Sequence, residues 1–174
     1  MGNFKAIVAM LVLVGLSQIA TEPRGSEPSH YPKLIHADVP FYPALARIAH
    51  ITGEIRILVT VEKGSVTDAQ IKSAEVQVTD PSHQAVYDSR ATAVASRQLS
   101  EPSLTNLKTW RFEPEPSTSF VVTYVYTIEG EITSLPENPV VELDLPRFVR
   151  VTARPFKPTC NDCGADISGK PITR

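Results

Sequence analysis

The sequence predicts an α+β domain: a small three-stranded antiparallel sheet packed with two helices, followed by an extra C-terminal β segment. Three observations predict it. Phe120–Ile128 alternates strictly, with Phe120, Val122, Tyr124, Tyr126 and Ile128 on one face and Val121, Thr123, Val125 and Thr127 on the other. Ile55, Ile57, Val59 and Val61 alternate in the same way and lead into Lys63-Gly64, where glycine supplies the positive φ a tight hairpin requires. Leu104 and Leu107 share a helical face just before Trp110 and Phe112, whose spacing is that of a strand. A helix packed on a strand through Leu107, Trp110 and the aromatic row makes Trp110, Phe112 and Tyr124 core residues.

The bulk composition narrows the function classes. The chain has 174 residues, room for one domain of ordinary size with tails. A hydrophobic content of 42% suits a packed core, and a formal net charge of −2 gives no electrostatic case for nucleic acid. Fifteen prolines against eight glycines predict stiff connections.

In chain order, residues 1–20 read as an export signal. Lys5 is the positive n-region, Ala6–Leu16 is an apolar run of eleven, and no acid precedes Glu22. Gly15 and Ser17 suit cleavage after Ser17, with cleavage after Ala20 the alternative. The other reading is an inner-membrane anchor through residues 6–20, but a spanning helix needs ~20 apolar residues. The mature protein is thus expected in the periplasm. Residues 21–39, with Pro23, Gly25, Pro28 and Pro32, read as a linker. Pro40–Ile51 reads as a short helix with Leu45, Ile48 and Ala49 at helical spacing. Glu54–Val61 is the first strand. The returning strand brings Val66, Ala69 and Ile71 to one face only if a bulge shifts its phase near Thr67-Asp68. Val76 and Val78 extend it until Asp80-Pro81 ends it.

Ala91–Leu99 reads as helical, leading into a second helix that opens at Ser100-Glu101-Pro102, where a first-turn proline costs no hydrogen bond. Trp110 and Phe112 follow, and Phe120–Ile128 is read as the last strand, at an edge of the sheet. Beyond Gly130, Pro139–Leu145 and Phe148–Ala153 alternate as two further strands. The expected segments are therefore residues 1–20 signal peptide, 21–39 linker, 40–131 domain, 132–155 appended strands and 156–174 flexible tail.

Catalytic chemistry finds no foothold. No serine or cysteine sits in a nucleophile elbow and no glycine loop cradles phosphate, so no enzyme, cofactor or small-molecule substrate is expected. Cys160 and Cys163 form a C-x-x-C in the tail; a small disulfide is expected in an exported chain, with idle thiols the alternative. Zinc would need two more ligands, and His30, His36, His50 and His83 show no spacing pattern, so no metal is expected. Arg47 and Arg111 read as surface ion-pair partners. What remains is backbone. An edge strand offers a row of free donors and acceptors, and extended peptides bind to such a row by strand addition. The expected partner-binding residues are Phe120, Val121, Thr123, Val125 and Thr127, and the expected partner is a protein or peptide.

Trp110-Arg111-Phe112-Glu113-Pro114 and the Val-rich strand ending at Gly130 resemble the end of the TonB carboxy-terminal domain. Tyr42-Pro43 with Ala46-Arg47, Gly53 and Gly64 precede them in matching order, so the resemblance spans about Pro40–Glu131. It implies structural roles for Tyr42, Pro43 and Gly53, a tie to TonB-dependent transmembrane transport, and an outer-membrane receptor segment as partner. The chain departs from that family in its longer 75–98 connection and in the strands after Gly130, and it is not expected to act as a force transducer, because the Ala6–Leu16 run and the Ser17–Val39 segment are short for an anchor and a spacer. The competing expectation is a structural envelope protein, its sheet edge covered by its own tail or by a second copy in a homodimer. Pairing of Pro139–Ala153 with Phe120–Ile128 is the feature that separates the two.

Overall fold

The computed structural model describes residues 30–78, 89–135 and 137–157. The signal segment, most of the linker, Asp80-Pro81 and the Cys160/Cys163 pair lie outside the described residues. Nine elements follow in order: β1 Leu34–His36, α1 Ala44–Ile48, β2 Ile51–Glu62, β3 Ser65–Val78, α2 Ser89–Leu107, β4 Arg111–Phe112, β5 Thr118–Ile128, β6 Val140–Asp144 and β7 Phe148–Ala153.

The expected three-stranded sheet with two helices is not what forms. The strands make one seven-stranded sheet in the order β1-β4-β3-β2-β5-β7-β6. It is mixed, because β5 and β7 run parallel while the other pairs are antiparallel, and it curls into a half-barrel with two helices. The predicted trio survives inside it as β3-β2-β5. The enlargement has a physical cause. Val149, Val151 and Ala153 alternate on β7 and are all buried, so these strands complete the core instead of hanging from it. At the other end, Leu34–His36 of the expected linker pairs with β4, with the Glu113 amide donating to the Lys33 carbonyl at 2.8 Å.

The hairpin is as read. Ile55, Ile57, Val59 and Val61 are buried, and Lys63 and Gly64 both take positive φ at the turn. The β2–β3 register slips between Thr60 and Val61, leaving Thr67 as the extra residue, and slips again between Arg56 and Ile57, leaving Lys72. Gly53 lies where β2 meets β3 closely: a Cβ there would sit 2.3 Å from the Glu75 carbonyl oxygen. Gly53→Ala is therefore expected to cost more than ~2 kcal/mol, since backbone, not a flexible side chain, must move. Equal denaturation midpoints for variant and parent would contradict this.

Two helical expectations need correction. The first helix is only five residues and buries Ala46 and Arg47; Leu45 and Ile48 face outward. The second does not open at Ser100. It runs unbroken from Ser89, with Pro102 in its interior. Ala95, Leu99, Ser103, Asn106 and Leu107 make one continuous inward row across that proline, so packing overrides the local start signal.

The core lies between α2 and the inward face of β2, β5 and β7. Trp110, Phe112, Phe120, Tyr124 and Tyr126 are each at most 2% exposed. Their polar atoms are satisfied by the helix. Asn106 Oδ1 accepts from Trp110 Nε1 at 3.1 Å and from the Tyr124 hydroxyl at 2.7 Å, while its Nδ2 donates to the Asp38 carbonyl. Ser103 Oγ lies 2.9 Å from the Tyr126 hydroxyl and donates to the Leu99 carbonyl, and the Tyr42 hydroxyl donates to the Ile51 carbonyl. Pro43, beside it, is half-buried at the head of α1.

Burial pushes the Tyr126 phenol up to about 12, partly offset by Ser103, and pushes Tyr124 and Tyr42 up as well, helped by neighbouring Tyr126. Raised folded values mean that their contribution to stability is complete below pH 10, the ordinary phenol value, and is lost as pH rises through the folded values, which for Tyr126 is about 12. An alkaline scan should show phenolate absorbance from these three rings appearing together with unfolding. Full titration near pH 10 in a chain that keeps its fold would contradict their placement.

Candidate functional site

The predicted binding strand is not an edge. β5 pairs with β2 from Thr118 to Tyr126 and with β7 from Thr123 to Ile128. Thr123 and Val125 thus lie in the stretch laddered on both sides, and Thr127 is paired with Thr152 of β7. Phe120 is buried, its ring edge-on to Tyr31 at 5.6 Å and to Phe112 at 6.0 Å, and Val121 lies on the opposite face before β7 begins. The appended strands occupy the very ladder that the sequence reading reserved for a partner. They are also fastened down. Arg47, read from sequence as a surface residue, is 5% exposed. Its Nε donates to the Arg154 carbonyl at 2.9 Å, its Nη1 to the Glu137 carbonyl at 3.1 Å, and its guanidinium covers the Phe156 ring. Arg111 is exposed and donates to the Lys108 and Trp110 carbonyls.

The open ladder is elsewhere. β3 pairs with β2 along its whole length, but its other side meets β4 only at Ser65↔Arg111. Among the described residues, the outer side of Val66–Val78 has no strand neighbour. The outer side of β6 is open too, but over five residues, and β1 has three. A long open edge invites indiscriminate pairing, and the bulges at Thr67 and Lys72, with the charge of Lys72, are devices that limit it.

A groove runs beside this edge. In the β2–β3 register, Val66, Ala69, Ile71, Ala74, Val76 and Val78 stand opposite Val61, Val59, Ile57, Ile55, Gly53 and Ile51, so they share the face that α2 covers. Ile71 is nonetheless 45% exposed. α2 packs against β3, and Leu104 and Lys108 line a cavity of about 430 Å³ with Val66, Thr67, Asp68 and Ala69. Small side chains at Ala69 and Ala74 keep the floor low. An extended chain laid against β3 would gain main-chain hydrogen bonds on one side and apolar contact with Leu104 and Ile71 beneath.

Sequence reasoning found Val66, Ala69 and Ile71 and the bulge near Thr67, but not the edge. The signal was present in the length of β3, which outruns any partner available on its outer side. Of the expected structural residues, Tyr42, Trp110, Phe112 and Tyr124 are buried in the core and Gly53 lies at the β2–β3 approach. Among the described residues, no group of three or more acidic, histidine or cysteine side chains could hold a metal ion. His36 contacts Asp38, and His30 lies 3.9 Å from Glu115. No family model matches the sequence, and no curated protein matches it either.

Proposed function

We propose that this protein is an exported module that binds extended polypeptide segments by strand addition, at the outer edge of β3 beside α2. The observation that carries this reading is the outer side of Val66–Val78, which among the described residues has no strand neighbour, next to an apolar groove. The sequence resemblance to the TonB carboxy-terminal domain supports a polypeptide partner, an outer-membrane receptor segment being the one that resemblance implies, and a link to TonB-dependent transport. The strand corresponding to that family's last one, β5, is covered here by β7, so the partner is taken by a different strand.

The periplasm is the proposed location. Lys5 followed by the Ala6–Leu16 run supports export, and among the described residues no helix is long and apolar enough to cross a membrane. Cell fractionation should recover the protein in the periplasmic fraction, with its amino terminus near Gln18 or Thr21.

The binding test is Ile71→Lys, an exposed change expected to leave stability within about 0.5 kcal/mol. Alternating Val/Thr peptides of about ten residues, an ordinary upper strand length, should bind the parent and bind this variant at least roughly tenfold more weakly, because a charge replaces an apolar contact. Equal affinities would place the binding surface elsewhere. A concentration-dependent dimer that these peptides do not dissociate would favour the structural alternative, in which a second copy covers the edge.

A further inference from the structure

The open side of β3 begins at a cavity, and the polarity of its walls names one side chain of the segment the edge takes up; the inference rests on the strand-addition reading above. β4 closes the outer side of β3 as far as Ser65, which pairs with Arg111, and the Phe112 amide donates to the Gly64 carbonyl at 2.9 Å. Val66 is the first position there without a strand neighbour among the described residues. The cavity of about 430 Å³ lies at this beginning, between Val66–Ala69 and the end of α2. Ligand pockets span roughly 300–1,000 Å³, so this one is of a size for a single large side chain. Ala69 helps to keep it open, since it puts only a methyl group between Val66 and Ile71 on the side that α2 covers.

The lining divides by chemistry. Val66, Ala69 and Leu104 are half-buried and pack against the core. Thr67, Asp68 and Lys108 are exposed and form a polar rim that carries a hydroxyl, a carboxylate and an ammonium. Asp68 accepts from Gln70 Nε2 at 2.7 Å, and its carboxylate has acceptor capacity left over. Among the described residues, the Lys108 ammonium has no ion-pair or hydrogen-bond partner. An aliphatic side chain would fit the apolar walls and leave the rim unanswered. A charged one would lose water against those walls. A phenol meets both, because its ring is apolar and its hydroxyl donates and accepts.

We propose that the β3 edge selects an extended segment that seats one tyrosine in this cavity, its ring against Val66, Ala69 and Leu104 and its hydroxyl at the rim with Asp68 and Lys108. β3 meets both of its strand partners antiparallel. An added strand that runs the same way brings its carboxyl end over Val66–Ala69, so the tyrosine belongs there, in the α2-facing row. The anchor also fixes register. β4 bars travel past Ser65, and a one-residue slip would turn the ring to the other face.

The test uses the alternating Val/Thr peptides of about ten residues, with one valine replaced by tyrosine near the carboxyl end, at the centre or near the amino end. The carboxyl-end peptide should bind roughly tenfold tighter than the plain one, because the ring buries more apolar area than valine does. The other two should gain less than about twofold. Phenylalanine at the carboxyl end should bind about threefold more weakly than tyrosine, a margin that should vanish when the exposed rim is removed by Asp68→Ala with Lys108→Ala. Ala69→Leu fills the cavity and should erase the tyrosine gain while the plain peptide still binds. In the parent protein, nuclear Overhauser contacts should join the peptide's tyrosine ring to the Ala69 and Leu104 methyl groups, a readout that depends on no variant. Equal binding of all peptides, still weakened by Ile71→Lys, would overturn the anchor and leave strand addition standing. So would an equal gain from the centre or the amino end, a gain that survives Ala69→Leu, a phenylalanine margin that survives loss of the rim, or a ring without those contacts. No binding by any peptide would overturn both readings.

Discussion

Replacing Trp110 by alanine should lower the unfolding free energy by ~3–5 kcal/mol, a large share of the ~5–15 kcal/mol that holds a domain of this kind. Trp110 is 1% exposed and sits where the end of α2 meets β4, its ring 6.2 Å from that of Phe112. Two losses combine. The ring leaves a cavity against Leu107 and the aromatic row, and Asn106 Oδ1 loses one of its two donors. The second loss is the smaller, because Tyr124 still reaches that oxygen at 2.7 Å. A fall in melting temperature of roughly 10 °C or more should accompany the change. Melting within a degree or two of the parent would mean that the α2–β4 junction does not organise the core as described.

Ending the chain at Asn138 should abolish the fold. A detachable extension would predict the reverse, a stable remainder with β5 uncovered. The removed segment includes Val149, Val151 and Ala153, all buried, and the partner ladder of Thr123–Ile128. Burying the two valines alone contributes ~3–4 kcal/mol, and the ladder leaves polar groups of β5 without partners. Arg47 would lose the Arg154 carbonyl and the Phe156 ring while remaining in an apolar setting, an added cost. Circular dichroism and gel filtration should show an unfolded or aggregated product. A cooperative, monomeric melt from the shortened chain would restore the view of β6 and β7 as accessories.

Local pattern carried much of the strand structure. The alternation of Ile55–Val61 and Phe120–Tyr126 gave the right inward faces, and the phase error at Thr67 was legible because Val66 and Ala69 could not otherwise share a side. The strands at Val140–Asp144 and Phe148–Ala153 were also legible. Their place was not. Nothing in FVRVTA says that it pairs parallel with β5 instead of lying at a free end, since that choice depends on where the chain returns after Gly130. The same gap misassigned the candidate site. Once β7 takes the β5 ladder, the open edge passes to β3, whose own sequence is unremarkable for binding. Arg47 shows a related limit: the one charged residue of a short helix reads as surface until the carbonyls of Glu137 and Arg154 arrive from distant sequence to receive it. The α2 boundary failed for a third reason, because Ser100-Glu101-Pro102 is a sound local start signal that a continuous buried row overrules.

The central claim is that β3, not β5 or β6, presents the working edge. Amide hydrogen exchange, measured strand by strand with and without the alternating Val/Thr peptide, tests it most directly. Strand addition at β3 should slow exchange across Val66–Val78, on amides that β2 leaves unpaired, while β5 and β6 are unchanged. Slowing confined to Val140–Asp144 or to Thr118–Val122, with Val66–Val78 exchanging as before, would contradict the assignment.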